Sequence, residues 1–192
     1  FIRRINNSEI VSAPLIITTL LDTPDLQQKC SEIILNDKFP QSNLIHEIKP
    51  YPNHEKIHVG YFSPDFHTHP VAIGIADLFK YHDRSKFEVH AFSFGPDIKD
   101  SWNYRVREGV DFYHDVQGMS DKDIALLSRS LEIDIAIDLT GYTDGNRIAI
   151  FAMSAAPVQV CYLGFLWTMG ATYYDYVISD SIMIPEENKD YY

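Results

Sequence analysis

From Lys56 onward, short apolar stretches alternate with amphipathic ones, which is the pattern of strands and helices following each other. Residues 57–63, IHVGYFS, place apolar side chains at positions 57, 59 and 61 and then run into a polar turn. Strands are predicted at 57–63, 87–94, 111–114, 133–139, 158–163 and 176–179. Helices are predicted at 70–82, 102–108, 121–131 and 147–153. Such alternation with short connections predicts an α/β fold, with a mostly parallel sheet covered on both faces.

Residues 1–55 follow a different pattern. The first 40 residues are predicted to be helical, with a helix that begins at Pro24 and Asp25 and ends near Asn36. Residues 40–55 contain three prolines and several polar turn formers, which is typical of a linker. We therefore divide the chain into a helical arm and linker, 1–55, and an α/β region, 56–192.

Charge and cysteine content limit which partners and which cellular compartment are expected for this chain. Lys and Arg number 16 against 27 Asp and Glu, a net charge of −11, which argues against binding nucleic acid through phosphate contacts. Two cysteines far apart in sequence imply no disulfide framework, so a reducing, cytoplasmic location is expected. The apolar stretch 13–21 is too short for a bilayer, and neither a signal peptide nor a membrane partner is expected. A start at Phe1 leads us to expect a piece of a longer protein.

The turn after the first predicted strand, DFHTHP, carries the densest candidate chemistry. Ligands of open α/β sheets bind just past the carboxyl ends of strands. There Asp65 and His69 could orient a substrate or move a proton, and a helix starting at Pro70 would favour an anion. The alternative is a turn of solvated histidines with Asp65 as a helix cap. No metal is expected, because HxH lacks a third ligand and His46, His54 and His58 are scattered along the chain.

Two later turns follow predicted strands in the same way. Residues 141–147, GYTDGNR, have two glycines that permit close backbone approach, or they form an ordinary strand-to-helix connection. Residues 163–170, LGFLWTMG, form a bulky apolar turn in which Trp167 either stacks on a sugar or fills the core. In the loop after the second strand, Trp102 is interpreted as packing, and Asp97, Asp100 and Arg105 as solvated surface charges.

In order along the chain, these turns carry the patterns SxDFxxHP, DLxGYTxGNR, APVQVxxLGFxxTxGA and DYxIxD. The ordered set resembles the O-linked N-acetylglucosamine transferase and Spindly family, glycosyltransferase family 41. Its bacterial members and the Spindly-type branch are the most similar. The resemblance spans roughly residues 56 to 187. It implies a GT-B enzyme, in which two Rossmann-like lobes enclose the active cleft.

This chain would then be the N-terminal lobe, inactive alone because the C-terminal lobe of the same chain holds most of the donor nucleotide. The resemblance places His69 and Asp65 on the donor-sugar side of the cleft, as catalytic residues that handle a proton. Substrate-binding residues carried over from the family's motifs are Pro70, Gly141, Tyr142, Thr143, Leu163 and Gly164.

The implied reaction is inverting and independent of metal and cofactor. A sugar passes from UDP-GlcNAc, or from GDP-fucose as in Spindly proteins, to Ser or Thr of a protein or peptide acceptor. Tetratricopeptide repeats upstream would favour a protein acceptor over a lipid or small glycoside. The chain departs from the family at Phe165-Leu166-Trp167, where members have Pro-Gly after the aromatic residue. Residues 11–21 contain no histidine that could act as a general base. The rival hypothesis is a non-catalytic binding or scaffold domain.

Overall fold

A computed structural model of the protein describes residues 1–42, 48–52 and 54–192. Three helices come first: α1 (Ile2–Asn6), α2 (Pro14–Leu20) and α3 (Pro24–Lys38). The remaining elements alternate in chain order: β1 (Ile57–Ser63), α4 (Pro70–Ile75), α5 (Leu78–Tyr81), β2 (Phe87–Ser93), α6 (Ser101–Gly109), β3 (Phe112–Asp115), α7 (Asp121–Ser130), β4 (Ile135–Asp138), α8 (Ala149–Ala152), β5 (Val158–Tyr162) and β6 (Tyr176–Ile178). A 3₁₀ helix, Glu186–Tyr191, follows.

In the described part of the chain, the six strands form one sheet in the order β3-β2-β1-β4-β5-β6, and all neighbours are parallel. This confirms the predicted α/β fold, and the predicted strands differ from the observed ones by at most two residues at either end. β1 and β4 lie side by side although β2 and β3 separate them in sequence. The strand order therefore reverses between them, and that is where open α/β sheets bind ligands.

The single helix predicted over 70–82 is wrong, because the chain forms two short helices there. The last α-helical bond of α4 runs from the Ala76 amide to the Ala72 carbonyl, whereas the Lys80 amide reaches back only three residues, to Asp77. The chain therefore begins a new turn at Asp77. The predicted helix at 147–153 is also shorter, as α8.

Both faces of the sheet are covered by hydrophobic clusters. One contains Phe62, Phe92 and residues of α7 and α8, and the other contains Tyr61, Val89 and residues of α4 and α6. In β4, Ala136 and Ile137 are both buried although they point to opposite faces. The prediction of a sheet covered on both faces is therefore confirmed, including at residues 133–139, where two aspartates interrupt the apolar positions.

The arm packs onto the α/β region. Ile34 and Leu35 of α3 belong to the same buried cluster as Phe62, and the Ser31 hydroxyl donates to the Thr168 carbonyl at 2.9 Å. The end of α3 thus shares the core of the lobe, while the division at residue 55 stays a prediction. The predicted linker falls partly on residues 43–47 and 53, which lie outside the described residues, as does His46.

Both cysteines, Cys30 and Cys161, are buried and free. Among the described residues, no helix combines the length and apolar character needed to cross a bilayer.

Candidate functional site at the carboxyl edge of the sheet

The loops after β1, β4 and β5 meet at one edge of the sheet because these three strands are neighbours and parallel. A Cβ atom built on Gly145, in the loop after β4, would lie 3.4 Å from Cγ of Pro64, in the loop after β1. A Cβ atom built on Gly164, after β5, would lie only 1.9 Å from the Leu139 carbonyl oxygen. In turn, Cδ2 of Leu163 would contact a Cβ at Gly74 of α4 at 3.4 Å. The structure therefore brings together the three predicted loops.

Asp65 and His69 lie side by side in the first loop. Their side chains are 17 % and 39 % exposed, and Oδ2 of Asp65 lies 3.6 Å from Nδ1 of His69. The Val71 amide donates to the same Nδ1 at 3.3 Å, so His69 caps α4 with its own ring. Because Nδ1 accepts this bond, the neutral imidazole carries its proton on Nε2. His69 therefore has one donor atom that the fold does not use.

Burial raises the pKa of the Asp65 carboxyl. Coulombic interactions with His69 and His67 oppose this shift, and the negative charge of Asp144, from the loop after β4, adds to it. The Asp65 amide donates to the Ser63 hydroxyl at 2.9 Å, which fixes the backbone at the end of β1. Asp65 is thus a partly buried acid, positioned by the strand end, that holds a proton more readily than a free carboxyl.

The Asp100 carboxylate fastens this loop to α6. It accepts from the Thr68 amide at 2.6 Å and from the Trp102 and Asn103 amides at 3.0 and 2.9 Å. Hydrogen bonds from Thr68, with those from α6, lower its pKa to about 2. Asp100 is therefore a partly exposed surface charge, as predicted, that also caps α6 and holds the Thr68 loop. Arg105 is also paired, with Asp77 at 2.5 Å.

Asp138, at the end of β4, organises the second loop. Its side chain is buried, and it accepts from the Thr140 and Gly141 amides at 2.8 and 3.1 Å and from the Tyr174 hydroxyl at 2.6 Å. Burial raises the pKa of Asp138, and these three hydrogen bonds oppose that shift. Gly141 has φ +55°, and a Cβ there would lie 2.4 Å from Cβ of Phe165. This position therefore requires glycine.

The side chains of Tyr142 and Thr143 are used within the fold. The buried Tyr142 hydroxyl donates to the Met169 carbonyl at 2.9 Å and reaches the Ser31 carbonyl at 3.3 Å. The Thr143 hydroxyl donates to the Thr140 carbonyl at 2.8 Å. Any substrate contact predicted at Tyr142 therefore has to come from its backbone.

The third loop begins with a strained turn. The Gly164 amide donates to the Tyr162 carbonyl at 2.8 Å across Leu163, whose φ is +68°. This is the γ-turn with positive φ, which is rare for a residue with a side chain. Such strain is most often found at functional sites. It persists because Gly164 fits against the backbone of the second loop.

At Phe165-Leu166-Trp167 this chain lacks the Pro-Gly that the family has after the aromatic residue. This difference changes the turn less than the sequence indicates. Phe165 is buried against Tyr142, with ring centroids 5.3 Å apart, and Trp167 packs partly buried against the core. The positive φ angles of this loop fall on Leu163 and Gly170 instead. Trp167 also lines a pocket of about 270 Å³ between α3 and the β5–β6 connection. None of the predicted site residues lines that pocket.

The sequence reasoning missed a row of four histidines that begins at the opposite, amino edge of the sheet and crosses from β1 to β3. His54 stacks on His58 with ring centroids 4.4 Å apart, His58 lies against His90 at 5.8 Å, and His90 stacks on His114 at 5.3 Å. Burial, with the charge of His90, lowers the pKa of His114 to about 4. His54 and His58, which are scattered along the sequence, thus lie together in the structure. Residues from β1, β2 and β3 meet through the register of the strands, a signal that the spacing along the sequence does not contain.

Comparison with known proteins matches these loops to one family. The glycosyl transferase family 41 model matches residues 29–192. A probable UDP-N-acetylglucosamine–peptide N-acetylglucosaminyltransferase, SEC, of Arabidopsis thaliana is 37 % identical over 131 residues, covering 68 % of this chain and 13 % of that protein. The UDP-N-acetylglucosamine–peptide N-acetylglucosaminyltransferase of Caenorhabditis elegans is 35 % identical over 136 residues, covering 69 % of this chain and 12 % of that protein.

A comparison with solved structures matches the same family. A mutant of the Thermobaculum terrenum O-GlcNAc transferase superposes with a TM-score of 0.79 and 27 % sequence identity, covering 90 % of this chain and 33 % of that chain. This confirms the predicted lobe of a GT-B glycosyltransferase. The chain spans only about an eighth of the length of the two relatives compared above. The family 41 model matches residues 29–192, which is most of the chain, so the chain belongs to glycosyl transferase family 41.

Proposed function

We propose that this chain forms the N-terminal half of the catalytic cleft of a protein O-glycosyltransferase. The enzyme would transfer GlcNAc from UDP-GlcNAc to Ser or Thr hydroxyls of protein acceptors. The observation that carries the proposal is that three loops bearing the family's motifs meet at one sheet edge, around Asp65 and His69. The two relatives compared above are named as UDP-N-acetylglucosamine–peptide N-acetylglucosaminyltransferases, which supports this donor.

His69 is proposed to stabilise the departing diphosphate or a sugar hydroxyl. Its Nδ1 atom is occupied by the Val71 amide, so Nε2–H is the atom that can donate to an oxygen of the donor. The cap also fixes the ring at the start of α4, so that little reorganisation is needed when the donor binds.

Asp65 is proposed to relay the acceptor proton. In the transfer, the acceptor oxygen forms a bond to the sugar C1 while the bond from C1 to the diphosphate oxygen breaks, and the hydroxyl proton must leave. The raised pKa of Asp65 suits a group that holds this proton temporarily. Its distance from His69 Nδ1, 3.6 Å, is longer than a hydrogen bond, which leaves its oxygens available.

The other two loops are proposed to form the wall of the sugar pocket. Gly141, Thr143, Leu163 and Gly164 offer backbone groups at the same edge as Pro70, and the strained γ-turn at Leu163 fixes their direction. A C-terminal lobe would hold the nucleotide and close the cleft, so the 192-residue chain alone should not transfer sugar. The division between arm and lobe near residue 55 belongs to the same proposal.

The test uses the complete protein encoded by the open reading frame that contains this sequence. Transfer of radiolabelled sugar to an acceptor peptide is measured with UDP-GlcNAc and with GDP-fucose, in His69→Ala, in Asp65→Asn and in the control His67→Asn. Loss of one positioned acid–base group should lower kcat/KM about 100-fold or more in the first two variants. His67→Asn, which also changes a histidine near Asp65, should stay within a few-fold of the wild type.

Two results would contradict the proposal. Unchanged transfer and donor binding in His69→Ala would favour the binding or scaffold domain. Ordinary transfer by the isolated 192 residues would refute the two-lobe cleft. Transfer from GDP-fucose but not UDP-GlcNAc would keep the cleft and replace the donor.

A further inference from the structure

The amino edge of the sheet brings three metal-binding side chains to one point. His58 of β1 lies directly opposite Glu88 of β2 in the strand register, and His90 follows two residues later on the same face. Oε1 of Glu88 lies 3.7 Å from Nε2 of His58 and 3.0 Å from Nε2 of His90. All three ligand atoms lie within 4.8 Å of one another.

We propose that His58, Glu88 and His90 bind a divalent cation of the Zn²⁺ class. Two imidazole nitrogens and one carboxylate oxygen are a ligand set that Zn²⁺ uses, with a water in the fourth position. Bonds of about 2.0–2.1 Å in a tetrahedron separate neighbouring ligand atoms by about 3.3 Å. The 3.0 and 3.7 Å separations from Glu88 to the two histidines bracket this value, and the separation between the histidines is at most 4.8 Å, so rotation of the side chains would bring the three atoms to this spacing.

The outer partners of both histidines already suit a metal. Nδ1 of His58 lies 3.1 Å from the Leu131 carbonyl, which can only accept, so the proton is on Nδ1 and the Nε2 lone pair is free. Nδ1 of His90 lies 3.0 Å from Nε2 of His114; without a metal, Nε2 of His90 donates to Glu88, and metal binding would move that proton to Nδ1, which would then donate to His114. Metal-bound histidines almost always donate through the second nitrogen to such a partner, which fixes the ring.

Burial and charge favour a cation at this point. The His90 side chain is only 3 % exposed, while Glu88 remains 29 % exposed, which leaves a path from solvent and room for a bound water. His54 stacks on His58, and its two nitrogens are paired with Glu132 and Asp134 at 2.8 and 2.9 Å. These carboxylates add negative charge around the ligands without competing for them.

The metal would tie β1 to β2 and, through Leu131, to the end of α7. His58 lies five positions before Ser63, and His90 pairs with Gly60, three positions before it, so the ion would lie about 10–16 Å along the strand from the end of β1 and away from Asp65 and His69. Its role is therefore structural, and it is independent of the glycosyl transfer proposed above.

The test uses the complete protein after removal of metals by a chelator. Zn²⁺ is titrated by calorimetry in the wild type, in the double variant His58→Asn/Glu88→Gln, whose substitutions preserve approximate size, and in the control His67→Asn. Co²⁺ then replaces Zn²⁺ to give a visible spectrum that reports the coordination geometry. Mg²⁺, which prefers oxygen ligands, serves as the comparison cation.

The expected result is one Zn²⁺ site that the double variant weakens by at least about tenfold, with a tetrahedral Co²⁺ spectrum that the double variant loses. His67→Asn should bind as the wild type does. Circular dichroism of each variant checks that it is folded. Equal Zn²⁺ affinity in the folded double variant and the wild type would overturn the proposal, as would Mg²⁺ binding as tightly as Zn²⁺.

Discussion

The two edges of the sheet carry similar residues in opposite arrangements. At the amino edge, histidines and carboxylates stand on strands or against them, and their nitrogen–oxygen distances reach 2.8 to 3.0 Å. At the carboxyl edge, Asp65 lies 3.6 and 4.0 Å from His69 and His67, and all three are on a loop. The residue types are shared, but the pairing is tight at one edge and loose at the other.

This difference suits a different role at each edge: the amino edge would bind an ion, and the carboxyl edge would contact a substrate whose charge distribution changes during the reaction. A strand pair holds side chains in a constant register, which suits a metal that needs constant geometry. A loop whose acid and imidazole are not committed to each other can form new hydrogen bonds as charge moves. The carboxyl edge is therefore held by other residues, namely Gly164, Asp138 with Tyr174, and Asp100, and the predictions below remove these supports one at a time.

The largest effect is expected from Gly164→Ala. The new methyl group would meet the Leu139 carbonyl and the Thr140 Cα, both backbone atoms that cannot rotate away. We expect a loss of about 3 kcal/mol in the free energy of unfolding. Urea denaturation measures it, with Gly118→Ala as the control, because a Cβ there meets nothing within 4 Å. Equal stability of the two variants would show that the second and third loops are not in contact.

A smaller effect is expected from Tyr174→Phe. The substitution removes the hydroxyl that donates to the buried Asp138 carboxylate and leaves one oxygen without that partner. Losing such a bond to a buried charged group should cost about 2 kcal/mol. The control Tyr176→Phe, in the exposed strand β6, should change the free energy of unfolding by less than about 0.5 kcal/mol. Similar values for both variants would contradict the role of Asp138 in holding the second loop.

The smallest effect concerns Asp100. Because its pKa is lowered from 3.8 to about 2, its contribution to stability is complete above pH 3.8 and is lost as the pH falls toward 2. Asp100→Asn should therefore flatten the pH dependence of the melting temperature in this window. A carboxyl NMR titration of the wild type should give a midpoint near 2 for this residue. A midpoint near 3.8 would show that Asp100 does not fasten the Thr68 loop.

Periodicity along the chain predicted the strands well because each is bounded by a polar turn, as at Ser63 and Asp115. The cap of α7 is local in the same way, since the Asp123 amide donates to the Ser120 hydroxyl at 3.2 Å. These features depend on neighbours in sequence. The three loops at the carboxyl edge were also predictable, since parallel strands end on the same side.

Features that depend on contacts between distant segments could not be predicted. The Asp100 carboxylate meets Thr68 across 32 residues, and His58 meets Glu88 only through the register of β1 and β2. The hydrogen bond from Tyr174 to the buried Asp138 likewise joins two segments 36 residues apart. Such contacts require the strand order and register, which no single stretch of sequence contains.

The most direct test of the central claim is where the donor binds. Hydrogen–deuterium exchange of the complete protein, with and without UDP-GlcNAc, compares the two edges in one experiment. We predict slower exchange in residues 65–69, 140–145 and 163–166, and unchanged exchange in residues 54–58 and 88–90. Protection confined to the amino edge, with none in the three carboxyl-edge loops, would contradict the account.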